Sequence, residues 1–390
     1  MSGAEELIGR GRAAGRLAID TEFMGEGRYR TLLCLIQLAV PEQAEGGESI
    51  ALLDPLQEGT ELAPLAAALE DPAVRVVMHA GRQDVALLRR ELRCEVTNLF
   101  DTQVAAGFAG LGAQTSYDSL LTEVLGLRVA KTASFTRWDQ RPLSAEQLAY
   151  AREDVVHLLE LAAELEARLD RLGRLEWALE ECRPLSLVSD ERDPQAIFER
   201  LPRVGGLNAS ARAVARELVE WRERTAERTN RPVQSVLSDA GLVEVARRRP
   251  AAHEDLGRIR GIGPASQGRR AGELLDAVAR ARRRPEEPPP QGGRPAPPKP
   301  EDLPLVAVCE ALVRTRAREA GLAYELLAAR ADLQAIVTAV RVGAEPPDVR
   351  TLRGWRAELV GNELLELLDG GVRLSVEQAG GTRRLRIERD

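Results

Sequence analysis

The chain reads as an α/β domain, a mixed sheet covered by helices, followed by small all-α helical bundles. Three observations carry that expectation. Short apolar runs alternate with helical periodicity only ahead of Asp170. Across the whole chain, a low aromatic content of 3% is matched by abundant Ala and Leu, which favours helix. Finally, Pro285 to Asp302 packs eight prolines into eighteen residues, a composition that forms no core and reads as an extended linker. A length of 390 residues fits about two or three domains.

Taken in order, Leu17-Ala18-Ile19-Asp20-Thr21-Glu22-Phe23 is the first strand, an apolar run ending in two carboxylates. Alternation along a strand puts Asp20 and Glu22 on one face. Buried carboxylates need a cation, either divalent metal or an Arg fork. After the turn Gly25-Glu26-Gly27, Thr31 to Val40 is a second strand and, past the polar loop Glu42 to Glu48, Ser49 to Leu53 a third, making a meander. Leu62 to Leu69 reads as a short helix, Arg75 to Met78 as a strand and Arg82 to Leu92 as an amphipathic helix, with helical periodicity continuing to Asp170. Arg171 to Leu201 looks irregular, interrupted by Pro184 and Pro194, and is read as a connection. Leu207 to Val278 and Leu303 to Leu368 are helical again, and the tail after Gly370 forms a hairpin. The expected organisation is a first domain over 1–175, a connecting segment over 176–204, a helical bundle over 205–284, a linker over 285–302 and a second, divergent bundle over 303–390.

Composition narrows the function classes. Cys34, Cys94, Cys182 and Cys309 lie far apart with no CxxC pair, which suits neither a zinc site nor a disulfide framework. Met1 to Arg16 has no apolar core of the secretory kind, and no window nears the roughly 18 apolar residues of a membrane span, so a cytoplasmic protein with no membrane partner is expected. The net charge of −7 hides an asymmetry: Arg203 to Arg284 holds 18 Arg against 10 acidic residues, a surplus of +8 that leaves −15 for the rest. A basic module is joined to an acidic one. Arg222, Arg224, Arg228, Arg231, Arg247, Arg248 and Arg249 are its candidate phosphate contacts, although an Arg/Glu-laced helix such as Glu217 to Arg228 is also the pattern of a solvated face held by i,i+4 pairs.

Further acids fall at informative places. Met78-His79-Ala80-Gly81-Arg82-Gln83-Asp84 puts Asp84 in a first helical turn, where an acid alone reads as a cap. Tyr150-Ala151-Arg152-Glu153-Asp154 puts a phenol and a carboxylate one helical turn apart on one face. Together these are four carboxylates on three elements around one sheet. The ordered set Ile19-Asp20-Thr21-Glu22-Phe23, His79 to Asp84 and Tyr150 to Asp154 resembles the three exonuclease motifs of the ribonuclease D family, in the DEDD superfamily, with the tyrosine-bearing third motif. Leu35-Ile36-Gln37-Leu38, Asp54-Pro55-Leu56, Phe100-Asp101-Thr102-Gln103 and Arg141-Pro142-Leu143-Ser144 match as lesser landmarks, from about residue 16 to 170. Glu220-Trp221-Arg222-Glu223-Arg224, Asn230-Arg231-Pro232 and Ile259-Arg260-Gly261-Ile262-Gly263-Pro264 resemble the helical domain shared by RecQ-type helicases and ribonuclease D, and the last residues resemble its more divergent second copy.

The resemblance implies an RNase H-like mixed sheet flanked by helices and a metal-dependent 3′→5′ exoribonuclease. Such an enzyme trims 3′ ends of precursor tRNA and small structured RNAs to 5′-monophosphates, with no obligate protein partner. Two-metal hydrolysis needs cations about 3.5–4 Å apart, and oxygen-only ligands favour Mg²⁺ or Mn²⁺. By resemblance, Asp20, Glu22 and Asp154 hold the ion that activates water, Asp20 bridges to the second, Asp84 supports the second, and Tyr150 orients the water. His79 reads as a structural hydrogen-bonded residue. Phe23 is a candidate for stacking on the terminal base, and Lys131 and Arg137 for RNA phosphate. Two rivals remain at this stage: a 3′→5′ DNA exonuclease, since nothing in the motifs reads the 2′-OH, and a non-catalytic RNA-binding protein on the same fold.

Overall fold

The computed structural model describes residues 3–42, 49–128, 137–259, 262, 268, 270–283, 299–379 and 382–389. Its centre is a five-stranded sheet built from β1 (Arg16–Met24), β2 (Leu32–Ala39), β3 (Ile50–Leu53), β4 (Arg75–Met78) and β5 (Leu99–Asp101), in the order β3-β2-β1-β4-β5. The first three strands form the expected antiparallel meander, whereas β4 and β5 add in parallel beside β1. Leu17, Ala18 and Ile19 are all buried because β1 is central and covered on both faces. Pairing with β2 shifts register between Glu22 and Phe23, a bulge at the strand end that carries the acids.

Around the sheet lie α1 (Gly3–Ala13), α2 (Ala63–Leu69), α3 (Arg82–Leu92), α4 (Thr102–Phe108), α5 (Tyr117–Leu120), α6 (Ala145–Val156), α7 (Leu158–Arg171) and α8 (Leu175–Ser186). Leu7 and Ile8 of α1, Leu65 and Leu69 of α2 and Val85 and Leu88 of α3 pack with Leu17, Ile19, Ile36 and Leu38 in one cluster. Phe108 of α4 and Leu161 and Leu165 of α7 pack with Ala18, Val77 and Phe100 in another. Helix α6 starts at a capping box: the Gln147 N–H donates to Ser144 Oγ, and the Ser144 N–H donates to Gln147 Oε1.

Two expectations about the connections need correction. The three-residue strand β5 sits inside a stretch read as dominated by helical periodicity, because it is too short to show period-two alternation. The segment from Arg171 to Leu201, read as irregular, holds α8 and a second helix, Pro194–Arg200. Buried Ala178 and Cys182 lie four apart on one face of α8, and that spacing outweighs the local cost of Pro184. Pro194 begins its helix just after the N-cap Asp193, a position where proline favours a start.

Ala209–Arg228 is the central helix of the next module, capped by Asn208 and buried against Phe198, Leu242, Leu274 and Val278. The C-terminal helices do not keep a core to themselves. Val306, Cys309, Leu312, Leu333, Trp355 and Leu364 share one hydrophobic cluster with α4 and α7. Trp355 stacks on Trp177 at 5.2 Å and meets Phe108 edge-on at 5.0 Å, and Arg356 grips Glu181. The expected terminal hairpin is present as Val372–Ala379 paired with Thr382–Arg389. Most of the Pro-rich linker, residues 285–298, and most of Arg260 to Pro264 lie outside the described residues. Among the described residues, no helix is long and apolar enough to cross a membrane.

Candidate active site

Three elements bring four acids together toward the C-terminal end of β1. Asp20 and Glu22 come from β1 itself, Asp154 from the last turn of α6, and Asp84 from the first turn of α3. One oxygen each of Asp20, Glu22 and Asp154 lies within 4.8 Å of the others. Asp84 stands beside this trio, buried, accepting a 2.5 Å hydrogen bond from the Thr21 hydroxyl.

The electrostatics decide between the two cation partners that the sequence leaves open. Burial, and then the charges of Asp84, Asp154 and Glu22, hold the Asp20 carboxyl well above its ordinary range. Burial, followed by Asp154 and Asp84, pushes Glu22 up to about 8. Asp154 rises to about 7, first through burial and then through Asp118 and Glu153. Burial pushes Asp84 to about 6 against the opposing bond from Thr21. The charges acting on Asp20 and Glu22 are thus carboxylates, so an Arg fork does not account for the cluster. Hard oxygen donors this close, each costly to ionise together, fit divalent cations of the Mg²⁺ and Mn²⁺ class.

The supporting residues are built as carefully as the acids. The Asp101 carboxylate accepts from the N–H groups of Ala80 (3.2 Å), Gly81 (2.8 Å), Gln103 (2.8 Å) and Val104 (3.2 Å), so it caps α4 and fixes the turn into α3 together. Gly81 is required there, because a Cβ would meet Met78 side-chain atoms at 2.7 Å. His79 is held by Thr102, Nδ1 to Oγ1 at 2.9 Å, and burial lowers its pKa, which agrees with a structural role. Sequence reading singles out neither Thr21 nor Tyr117. The Tyr117 ring lies 5.6 Å from that of His79, and its hydroxyl is buried. Their only sequence signal is position: Thr21 falls between the two strand acids.

Tyr150 lies one turn before Asp154, half-buried, with its ring 6.1 Å from Trp138. Burial and then Asp154 raise its phenol well above the ordinary value, so it remains a proton donor. Phe23 is 37% exposed at the end of β1, free to meet a base. Arg137 is exposed and pairs with Asp139 at 3.0 Å, while Lys131 lies outside the described residues.

Among the candidate phosphate contacts, Arg222 is a correction. It is 1% exposed and donates to Asp239 at 2.6 Å and to the Leu237 carbonyl at 3.1 Å. Its helix is central to the module, so this face is covered and the charge serves the interior. Arg224 and Arg231 remain exposed, Arg224 lying 3.7 Å from Glu220. Arg228 pairs with Glu273 at 3.0 Å, while Arg247 and Arg248 share Glu244 at 3.0 and 2.7 Å. Arg249 donates to Ser210 Oγ at 2.7 Å.

Comparison with known proteins addresses both modules of the chain. Residues 1–170 match the 3′-5′ exonuclease family model and residues 211–278 the HRDC domain model. Ribonuclease D of Gluconacetobacter diazotrophicus is 39% identical over 98% of this chain and 95% of its own length. Ribonuclease D of Acidiphilium cryptum is 37% identical over 92% of this chain and 89% of its own. The crystal structure of Escherichia coli RNase D, described as an exoribonuclease involved in structured RNA processing, superposes with a TM-score of 0.79 at 30% identity, covering 94% of this chain and 96% of that one. With both modules in place and relatives matched almost end to end, the chain belongs to the ribonuclease D family of 3′→5′ exoribonucleases.

Proposed function

We propose that this exoribonuclease trims 3′ extensions from precursor tRNA and other small structured RNAs in the cytoplasm, using two divalent cations, Mg²⁺ or Mn²⁺. The observation that carries the metal reading is the approach of Asp20, Glu22 and Asp154 oxygens to within 4.8 Å, with Asp84 alongside. In this reading Asp20, Glu22 and Asp154 hold one ion, and Asp20 and Asp84 the other. Bound there, the cations supply the positive charge that eases deprotonation of water and offsets the charge building on the phosphate.

The rest of the chemistry belongs to side chains of the chain. Tyr150 keeps its proton at neutral pH and donates a hydrogen bond that orients the attacking water rather than acting as base. Phe23 stacks on the terminal base. Arg137, Arg224 and Arg231 are exposed cations able to meet RNA phosphates, and the module bearing Arg224 and Arg231 supplies the grip on structured RNA. No obligate protein partner enters this scheme.

The test is digestion of a 3′-extended tRNA and a matched DNA strand with Mg²⁺ or EDTA, for wild type and Asp20→Asn. Nucleoside 5′-monophosphate release from the tRNA only with metal and wild-type protein is expected. Trimming that survives Asp20→Asn overturns the metal assignment, and faster digestion of DNA overturns the substrate.

A further inference from the structure

Gln37, in the middle of β2, is 0% exposed, and neither its amide nitrogen nor its amide oxygen has a hydrogen-bond partner among the described residues. A primary amide carries two donors and an acceptor, and folded interiors leave such a group unsatisfied only rarely, typically where a function, an ion or a water accounts for it. The residues two positions away on the same strand face, Leu35 and Ala39, are buried and apolar, so the strand itself has no use for an amide here.

The register shows what the amide faces. Gln37 stands directly opposite Asp20 in the antiparallel pairing of β1 and β2. Directly opposed residues project from the same face with Cβ atoms about 4.5–5.5 Å apart. On its other side Gln37 is paired with Leu52, which offers no polar side chain. Thr21, next to Asp20 on β1 and opposite Ile36, points to the other face of the sheet, where its hydroxyl donates to Asp84.

We propose that Gln37 is a positioning residue for the cation-bound cluster, its amide N–H donating to the Asp20 carboxylate and fixing the direction in which Asp20 presents its oxygens to the metal. The assignment rests on the metal reading given above. A carboxylate that faces a cation keeps lone pairs for other donors, and such supporting bonds change metal affinity by about 10–100-fold.

The test uses the full-length protein and Mn²⁺ alone. Gln37→Met keeps the length of the side chain and removes the amide. Mn²⁺ is titrated calorimetrically into wild type and variant, and melting is followed with and without the ion. The expected result is a cation-free melting temperature equal to or above that of wild type, since an unpaired amide leaves the interior, together with Mn²⁺ affinity weakened about 10–100-fold. Gln37→Leu is the second variant should Met pack poorly at this position. Mn²⁺ affinity equal to wild type in either folded variant overturns the role of Gln37 and leaves the metal site standing. Wild type that binds no Mn²⁺ overturns both, a result visible before any substitution is made.

Discussion

Arg141 engages all five of its N–H groups at one junction. Its Nε and one Nη grip Asp54 at 2.5 and 2.6 Å, and the guanidinium also donates to the carbonyls of Trp138, Gln140 and Cys34, each at 2.7 Å. These bonds tie the segment entering α6 to β2 and to the end of β3, and α6 carries both Tyr150 and Asp154. In Arg141→Ala the ion pair, 29% and 18% exposed at its two side chains, counts only at its surface value of about 1 kcal/mol. The part-buried carbonyls of Trp138 and Cys34 lose roughly 1 kcal/mol each, for a total of about 2–3 kcal/mol. Catalysis is the more sensitive readout, because a catalytic group misplaced by about 1 Å costs on the order of 100-fold. Single-turnover digestion of a 3′-labelled RNA is expected to show kcat lowered about 30–100-fold with little change in KM, alongside a modest drop in melting temperature. Arg141→Lys is expected to recover little, since a single ammonium cannot form the fork. A variant that loses stability yet keeps kcat within about twofold refutes the idea that this clamp places α6.

Stability should depend on pH and metal together. Glu22 and Asp154, raised to about 8 and about 7, favour the protonated native state, so the stability they contribute is present at low pH and is lost as pH rises through those values. Mg²⁺ binds the ionised cluster, so the rise in melting temperature it produces should be larger near about pH 8 than near about pH 6, and equal rises at both would contradict the linkage. Tyr29→Phe removes the 3.1 Å bond from the β1–β2 turn to Glu223 of the HRDC module, while the Tyr29 N–H to Asn230 stays. It should cost about 1 kcal/mol and slow digestion of a structured RNA severalfold while sparing a short single strand; equal slowing of both substrates would count against docking of the module through this bond. Trp355→Ala should cost about 3–5 kcal/mol in urea unfolding, because the ring is 3% exposed between Trp177 and Phe108. A loss below about 1 kcal/mol would argue that the C-terminal helices do not share the exonuclease core.

The legible parts of the fold were those with a local signature. The strand Arg75–Met78 and the helix Arg82–Leu92 occur with the bounds read from the sequence, because hydrophobic period and the Gly81 breaker are both local. Pairs within the candidate site were legible as well, since Asp20 with Glu22, and Tyr150 with Asp154, are each set on one face by strand or helix periodicity. Failures came where the deciding contact is distant in sequence. Pro184 hides a helix whose worth lies in packing Ala178 and Cys182 against the sheet domain. Arg222 looks like a surface cation until Leu237 and Asp239 close over it.

The sequence by itself determined which residues can do the chemistry, because side-chain type and spacing along one element are properties of the chain. Only the tertiary structure decided how they are combined. It brought acids 64 and 134 positions beyond Asp20 to one strand end. It placed carboxylates, not arginines, around Asp20, which turned an undetermined charge pair into a candidate metal site. It also set an unpaired amide opposite that same residue, because strand register is fixed by the packing of the whole sheet and cannot be read from either strand alone.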